Sequence, residues 1–115
     1  MVGKNYVPER GDIVWLNFSP IRGHEQGGKR PALVVSRALY NAKTGLCLIC
    51  PITSRAKGYD FEVALPDMSE IQGVVLSDHV KSLDWKQRRA KKAGQVPRAI
   101  LLEIRNMLAP LLGIS

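Results

Sequence analysis

One stretch of the sequence concentrates side chains that can move protons and bind anions. Between two candidate strands, residues 19–29 read Ser-Pro-Ile-Arg-Gly-His-Glu-Gln-Gly-Gly-Lys, and Arg30 follows directly. An imidazole titrates near pH 6.5, a carboxylate beside an anion has its pKa raised, and a guanidinium binds an anion through two parallel hydrogen bonds. His24 and Glu25 could therefore transfer protons at an anion that Arg30 binds, although a solvated glycine-rich loop has the same composition.

Two further positions place polar side chains at the ends of apolar segments. Thr53 and Ser54 follow the apolar stretch that ends at Ile52, and Asp78 follows the apolar residues 73–76. Hydroxyl groups at a strand end commonly cap a turn, and a lone carboxylate there is typical of a surface turn. Taken alone, neither position indicates a catalytic site.

The two cysteines, Cys47 and Cys50, have a C-x-x-C spacing within a predicted strand. An offset of three residues on a period of two places their side chains on opposite faces. They therefore cannot easily share a metal ion, and the sequence has no second cysteine pair. Packed core thiols are the favoured interpretation, and no metal site is expected.

Short strands must position these side chains. Runs of β-forming apolar residues alternate with turn residues, which is typical of a compact β-rich domain. The candidate strands are residues 12–18, 31–36, 46–52, 61–65, 73–76 and 81–85. The first has apolar residues on both faces, so it is expected to be interior. Pro31 is predicted to open the second strand, because it has no amide hydrogen to donate. Trp15 is expected to pack in the core more readily than to stack on a base.

One helix is predicted near the C-terminus. Pro97 suits its first position, Pro110 should kink or end it, and Gly113 can cap it. Its apolar residues recur every three to four positions and should pack on the sheet: Ile100, Leu101, Ile104, Met107, Leu108 and Leu111. A short helical turn is also predicted around residues 37–42.

Length and charge restrict the class of protein. A chain of 115 residues supports one hydrophobic core, which excludes a two-domain enzyme. No apolar run reaches the roughly 18 residues of a membrane span, and residues 1–12 do not resemble a signal peptide, so a cytoplasmic protein is expected. A net charge of +7 would attract a polyanion such as nucleic acid. The basic residues 86–92 could guide RNA or form a solvated surface.

Several motifs together resemble the MazF/PemK type of toxin. They are G-D-I-V-W (11–15), G-H-E-Q-G-G-K-R-P-A-L-V-V-S (23–36), Y-N-A-K-T-G-L (40–46), P-I-T-S (51–54), K-G-Y-D-F-E-V (57–63) and G-V-V-L-S-D-H-V-K-S (73–82). They occur in that family's order from about Tyr6 through the C-terminal helix. Such toxins are the ribonucleases of bacterial toxin–antitoxin pairs, and this chain is closer to the MazF branch.

The resemblance implies one domain over residues 1–115, mainly β with a C-terminal helix, in an SH3-like β-barrel that forms a homodimer. It implies a sequence-specific endoribonuclease of the bacterial cytoplasm that cleaves single-stranded mRNA without metal or cofactor and so inhibits translation and growth. It also implies neutralisation by an acidic antitoxin of the MazE type.

The matched positions imply roles for individual residues. Arg30 falls on the family's active-site arginine and Thr53 on its active-site threonine. Glu25 falls on an acidic loop residue linked to activity. His24 and Asp78 match residues that have catalytic roles in the PemK branch, whereas the MazF branch commonly has serine in place of that histidine.

The chain departs from the PemK pattern at Leu76, where that branch has an arginine two residues before the aspartate. This difference favours Arg30 with Thr53 over a catalytic pair centred on Asp78. Contacts with RNA are assigned to polar residues beside the matched motifs: Gln26, Lys29, Ser54, Arg55, Lys57 and Lys81.

Metal-free RNA cleavage uses the neighbouring 2′-hydroxyl as nucleophile, so it leaves a 2′,3′-cyclic phosphate and a 5′-hydroxyl. The enzyme must accept one proton, donate another and stabilise charge at phosphorus. A guanidinium stays protonated in proteins, so Arg30 is assigned to charge stabilisation. Thr53 can donate a hydrogen bond to a phosphate oxygen, and Glu25 and His24 are the candidate proton carriers.

Two other functions stay open at this point. A poison of DNA gyrase of the CcdB type shares the fold, but its C-terminus carries a tryptophan before the final Gly-Ile, and this chain ends Leu112-Gly-Ile-Ser115. A non-catalytic RNA-binding barrel would have the basic surface without needing Glu25, Arg30 and Thr53 together.

Overall fold

The computed structural model describes residues 5–18, 28–67 and 71–114. Their elements are β1 (Asp12–Asn17), β2 (Lys29–Val34), α1 (Ala38–Thr44), β3 (Leu46–Thr53), β4 (Glu62–Ala64), β5 (Val74–Leu76), β6 (Lys81–Asp84), β7 (Lys91–Gln95) and α2 (Arg98–Leu111). The strands form one antiparallel sheet in the order β4-β5-β3-β2-β1-β7, with β6 paired to β3. The predicted β-rich class with a C-terminal helix is confirmed. Pairing among the described strands follows an open path, compatible with a barrel of the SH3 type.

Two hydrophobic clusters lie on opposite faces of β1. Ile13 packs with Leu33 and with the apolar side of α2, whereas Val14 and Leu16 pack with residues that include Trp85. All three β1 residues are fully buried, and β1 lies between β2 and β7. The predicted interior position of the first strand is therefore confirmed.

The start of β2 corrects the sequence prediction, because Pro31 is its third residue and not its first. The N–H of Val35 donates to the carbonyl oxygen of Leu48 on β3 at 2.9 Å. Backbone nitrogens of alternate residues in a strand point the same way, so the nitrogen of Pro31, like that of Val35, faces the side of β3. Pairing of β2 with β3 ends at Ala32 and Pro51. Pro31 lies one residue outside this paired region, so no β3 residue there would accept a hydrogen bond from its nitrogen. The missing amide hydrogen thus removes nothing from the sheet.

β7 was not predicted from the sequence, and its residues are Lys-Lys-Ala-Gly-Gln. This segment has no β-branched or aromatic residue, so its pairing with β1 determines its conformation more than its own preference does. The basic residues 86–92 are therefore not one loop, since Lys91 and Lys92 belong to a strand, although their side chains are exposed. The ammonium of Lys92 lies 3.5 Å from the carboxylate of Asp12, a residue that is only 2% exposed.

The beginning of α2 differs slightly from the prediction. Pro97 is the N-cap, and the helix begins at Arg98. Ile100 and Ile104 are buried against the sheet as predicted, but the side chain of Leu111 is 51% exposed. The helix therefore extends past the core and presents the apolar residues of its last turn to solvent.

The end of α2 follows the prediction. Pro110 lies in the last turn, and Gly113 follows with a φ of +74°. The N–H of Gly113 donates a hydrogen bond to the carbonyl oxygen of Pro110 at 3.1 Å, and the N–H of Ile114 donates one to the carbonyl oxygen of Ala109 at 2.8 Å. This pair of hydrogen bonds satisfies carbonyl groups of the last turn, as expected for a glycine after a helix.

Cys47 and Cys50 belong to different hydrophobic clusters, which confirms the prediction from their spacing. Both are free thiols and fully buried. Burial raises the pKa of Cys47 to about 11 and that of Cys50 to about 12, with a smaller contribution from the charge of Asp78 at Cys50.

Among the described residues, no helix is long and apolar enough to cross a membrane.

Candidate active site

A cleft opens where β2 and β3 separate. Their register pairs Val34 with Ile49 and Ala32 with Pro51. Extended by two residues, the same register would place Arg30 opposite Thr53. That pair does not form: among the described residues, Arg30 pairs with Leu16 of β1 and not with β3, while Ile52 and Thr53 pair with Val75 and Val74 of β5 on the other edge of β3. The fold therefore sets Arg30 and Thr53 on the two sides of a gap.

Two prolines lie where strand pairing changes. Pro31 is beyond the last β2 residue that pairs with β3. Pro51 lies between Ile49, which pairs with β6, and Ile52, which pairs with β5. Since proline donates no backbone hydrogen bond, both positions suit a site where one pairing ends. The motifs Lys-Arg-Pro and Pro-Ile-Thr thus place the two polar residues just past these points.

The cleft has a volume of about 700 Å³. Its lining residues are Trp15, Arg30, Pro31, Ile52, Thr53, Ser54, Arg55, Ile71 and Gln72. They supply two guanidinium groups, two hydroxyl groups, an amide and an apolar floor. No carboxylate or imidazole occurs among these nine residues, so the lining is cationic. Such a cleft suits an anion that also has an apolar part.

The hydroxyl of Thr53 has a structural contact of its own. Its Oγ1 accepts a hydrogen bond from the N–H of Arg55 at 3.1 Å. The turn-capping role considered from the sequence is thus present. The same oxygen keeps its hydrogen, because it acts here as the acceptor, so it can also donate to a ligand in the cleft.

The loop after Thr53 is held by Glu62. Its carboxylate accepts hydrogen bonds from the N–H of Lys57 at 3.0 Å and the N–H of Gly58 at 2.9 Å. Lys57 itself is exposed and is not part of the cleft lining. The predicted RNA contacts at Ser54 and Arg55 therefore lie in the cleft, and that at Lys57 lies outside it.

Lys81 lies in a separate cationic cluster. Its ammonium is 5.8 Å from the centre of the Phe18 ring, and the guanidinium of Arg88 is 5.6 Å from the same ring. Arg88 also donates to the carbonyl oxygen of Asn17 at 3.1 Å. Arg88 was noted only as part of the basic residues 86–92, and its position beside Phe18 and Lys81 was not predicted, because only the fold brings residues 18, 81 and 88 together.

Asp78 does not line the cleft. Its Oδ1 lies 3.8 Å from Nε2 of His79, and both side chains are about half exposed. It follows β5 at the end opposite to Val74, which pairs with Thr53. The structure thus brings Arg30 and Thr53 together without Asp78.

Four residues assigned from the sequence lie near the beginning of β2 or before it. Lys29 is the first residue of β2, exposed and outside the cleft lining. His24, Glu25 and Gln26 lie outside the described residues. The backbone N–H of Phe18 donates to the carbonyl oxygen of Gly28 at 3.3 Å, which joins the two ends of the segment that contains them.

Ile71 and Gln72 were not predicted from the sequence to line the cleft. The only signal for them is their place just before Gly73, which has a φ of +126°. Trp15 was expected in the core. It packs against the hydrophobic cluster that contains Ile13 and Leu33, and it also lines the cleft. In the described ranges, no three side chains of histidine, cysteine, aspartate or glutamate are grouped as metal ligands.

Comparisons with known proteins agree on one family. Residues 9–112 match the family model described as PemK-like, MazF-like toxin of type II toxin–antitoxin system. The endoribonuclease toxin MazF of Escherichia coli K12 is 47% identical over 108 residues, covering 94% of this chain and 96% of the relative. The endoribonuclease PemK of Escherichia coli is 36% identical over 108 residues, covering 90% and 81%.

Solved structures show the same similarity. A crystal structure of MazE–MazF from Deinococcus radiodurans contains a chain 53% identical to this one, with a TM-score of 0.87. The match covers 96% of this chain and all of that chain. The higher identity to MazF than to PemK agrees with the branch that the motifs indicated.

Proposed function

The chain belongs to the PemK-like, MazF-like toxins of type II toxin–antitoxin systems, and from this premise we propose that this endoribonuclease toxin cleaves single-stranded RNA at short sequences without a metal ion. The observation that supports the proposal best is the position of Arg30 and Thr53 on the two sides of a cationic cleft. We expect the cleft to bind a nucleotide of the RNA. Its backbone phosphate is the anion, and its nucleobase is the apolar part.

The proposed reaction is an internal displacement at phosphorus. The oxygen of the neighbouring 2′-hydroxyl forms a bond to phosphorus, and the bond from phosphorus to the 5′-oxygen breaks. The 2′-hydroxyl gives up a proton, and the departing 5′-oxygen receives one. The products are a 2′,3′-cyclic phosphate and a 5′-hydroxyl.

Arg30 stabilises the charge that develops on the oxygens at phosphorus, because its planar guanidinium donates two parallel hydrogen bonds. Thr53 donates a hydrogen bond to one of these oxygens, while its own oxygen stays anchored by the N–H of Arg55. Since the nine lining residues that the structure describes include no carboxylate or imidazole, proton transfer is assigned to Glu25 and His24 of the segment before β2. Asp78, placed outside the cleft, has the weakest support as a catalyst.

Polar and cationic residues in and around the cleft would bind the phosphates of the RNA backbone. Arg55 and Ser54 lie inside the cleft, and Lys29, Lys57 and Lys81 lie outside it with exposed side chains. Gln26 belongs to the segment before β2. Contacts between lysine and phosphate are independent of base sequence and weaken with salt, so these residues contribute affinity more than specificity.

The experiment for this proposal is cleavage of a long single-stranded RNA in the presence of EDTA. We expect cleavage at a defined short sequence, unaffected by the chelator, and ends that carry a cyclic phosphate and a 5′-hydroxyl. Chemistry of the ends is read from their reactivity toward polynucleotide kinase and RNA ligase. A supercoiling assay with gyrase is run in parallel, and no inhibition is expected.

Three outcomes would contradict parts of the proposal. Cleavage lost in EDTA and restored by a divalent ion would exclude the metal-free mechanism. Products with 5′-phosphate ends would exclude attack by the 2′-hydroxyl. RNA binding without cleavage, or inhibition of gyrase, would favour one of the other two functions considered from the sequence.

An acidic antitoxin is the proposed protein partner. The Deinococcus structure is of a MazE–MazF complex, and a net charge of +7 gives this chain an electrostatic reason to bind an acidic segment. We place the segment over the cleft and its neighbouring cations, where it would exclude RNA. Association would then be fast and sensitive to salt.

A homodimer is proposed on the face of α2 that continues past the core. A groove of about 490 Å³ lies there, lined mainly by apolar residues of α2 and the residues after it, together with Val35, Leu48 and Val80. Leu112 is 67% exposed and Ile114 is 58% exposed, both on this groove. A second copy of the chain would bury these side chains.

Leu112→Asp is therefore expected to shift the protein from dimer to monomer without unfolding it, because the side chain is exposed in the single chain. Sedimentation equilibrium over a range of concentrations measures the change. Leu39→Asp is the matched control, since Leu39 is 76% exposed on α1 and does not line the groove. A wild-type monomer, or equal dimerisation of both variants, would contradict this interface.

A further inference from the structure

The side of the cleft across from Arg30 includes an amide group that the mechanism does not use. Gln72 is exposed and lines the cleft together with Thr53. Its side chain forms no hydrogen bond with another described residue, so both its carbonyl oxygen and its NH₂ group can bind a ligand. The residue before it, Ile71, is only 5% exposed and packs in the first hydrophobic cluster. Gln72 thus follows an anchored residue.

Gly73 anchors Gln72 from the other side. A Cβ at this position would overlap the carbonyl oxygen of Thr53 and lie 2.9 Å from the Cα of Ser54. The carbonyl oxygen of Gly73 also accepts a hydrogen bond from the N–H of Leu65 at 3.0 Å. The backbone before β5 therefore lies directly against the backbone of Thr53. Gln72 has its place beside the proposed reaction centre because of this contact.

The chemistry of the other lining residues distinguishes Gln72. Arginine and tryptophan side chains only donate hydrogen bonds, and the hydroxyls of Thr53 and Ser54 are small and can rotate. Among the described residues of the lining, the amide alone presents a donor and an acceptor in one plane. This arrangement matches the edge of a nucleobase, which side chains read in single-stranded RNA by paired hydrogen bonds.

The apolar part of the cleft would receive the face of the same base. Trp15 is partly buried there, and Ile52 and Ile71 are buried behind it. A volume of about 700 Å³ lies within the usual range for small-ligand clefts, roughly 300–1,000 Å³. The cleft can therefore hold a base as well as the phosphate attached to it.

We propose that Gln72 determines specificity by reading the edge of one base next to the cleaved phosphate, and this inference rests on the proposed ribonuclease function. Gln72 is not a catalytic group in this proposal, because it contacts the base and not the reacting atoms. It would set which base is accepted at one position of the recognised sequence.

The test compares cleavage preferences on a single-stranded RNA library that is randomised around the cleavage site. We expect Gln72→Ala to lower discrimination among the four bases at one position by about 5- to 150-fold, with the other positions unchanged. Gln72→Glu, which only accepts hydrogen bonds when ionised, should shift the preference at that position toward bases with an exocyclic amino group. Gln87→Ala is the matched control, since Gln87 is an exposed glutamine that does not line the cleft.

Distinct results separate this inference from the function on which it rests. Absence of cleavage by the wild-type protein would contradict the ribonuclease proposal. Cleavage by wild type and by Gln72→Ala with identical base preferences would overturn the role of Gln72 alone. A uniform loss of rate at all sites, with preferences unchanged, would also overturn it and would instead make Gln72 a positioning residue.

Discussion

Replacing Arg30 with alanine is expected to lower the single-turnover rate of RNA cleavage by about 100- to 1,000-fold, while the protein stays folded. Loss of one donor that stabilises charge in a transition state commonly has an effect of this size. The fold should tolerate the change, because Arg30 is exposed and its backbone makes the contacts with β1. Single-turnover cleavage of a short RNA with one recognition site measures the effect.

Two related variants sharpen this test. Arg30→Lys keeps the charge but lacks the planar fork, so it should recover only part of the lost rate. Arg55→Ala removes a second guanidinium from the same cleft and should mainly weaken RNA binding. Near-normal cleavage by folded Arg30→Ala would remove this residue from the mechanism, and an equal loss in Arg55→Ala would indicate a general charge effect.

Gly73→Ala is expected to have the second largest effect, lowering both stability and rate. A φ of +126° is unfavourable for any residue with a Cβ, and the added carbon would overlap the carbonyl oxygen of Thr53. Backbone strain of about 1–3 kcal/mol should lower Tm by at least about 4 °C. A displacement of Thr53 by about 1 Å would lower the cleavage rate by roughly 100-fold. Thermal unfolding and single-turnover cleavage measure the two effects.

The matched control is Gly45→Ala. Gly45 has a φ of +76°, and no atom lies within 4 Å of an added Cβ, so this variant introduces backbone strain without the overlap. It should lose stability and keep its cleavage rate. If the two glycine variants, compared below their unfolding temperatures, cleave RNA at the same rate, the contact between Gly73 and Thr53 does not position the reaction centre.

The parts of the fold that sequence could predict are those in which local pattern and tertiary structure agree. β1 is apolar on both faces, and it is buried on both faces. The glycine after α2 has the positive φ that its position suggests. β7 could not be predicted, because Lys91, Lys92 and Gly94 have no preference for a strand and pair only because β1 offers an edge. Pro31 was misplaced since the direction of its nitrogen depends on which strand lies beside it.

The candidate site divides in the same way. Arg30 and Thr53 were identified by motifs, but their opposition depends on the register between β2 and β3, which no local pattern encodes. Gln72 carries no motif of its own and enters the cleft because Gly73 allows two backbones to touch. The roles of His24, Glu25 and Asp78 remain predictions from family resemblance.

The placement of the two thiols gives the protein a built-in probe of its own fluctuations. Only a thiolate reacts readily with alkylating reagents, and Cys47 and Cys50 are buried with raised pKa values. Modification of the native protein must therefore follow a transient opening of the structure. Because each thiol belongs to a different cluster but both are on β3, their two labelling rates report whether the clusters open together or separately. A cysteine engineered at the surface could also carry a fluorophore with little background from either native thiol.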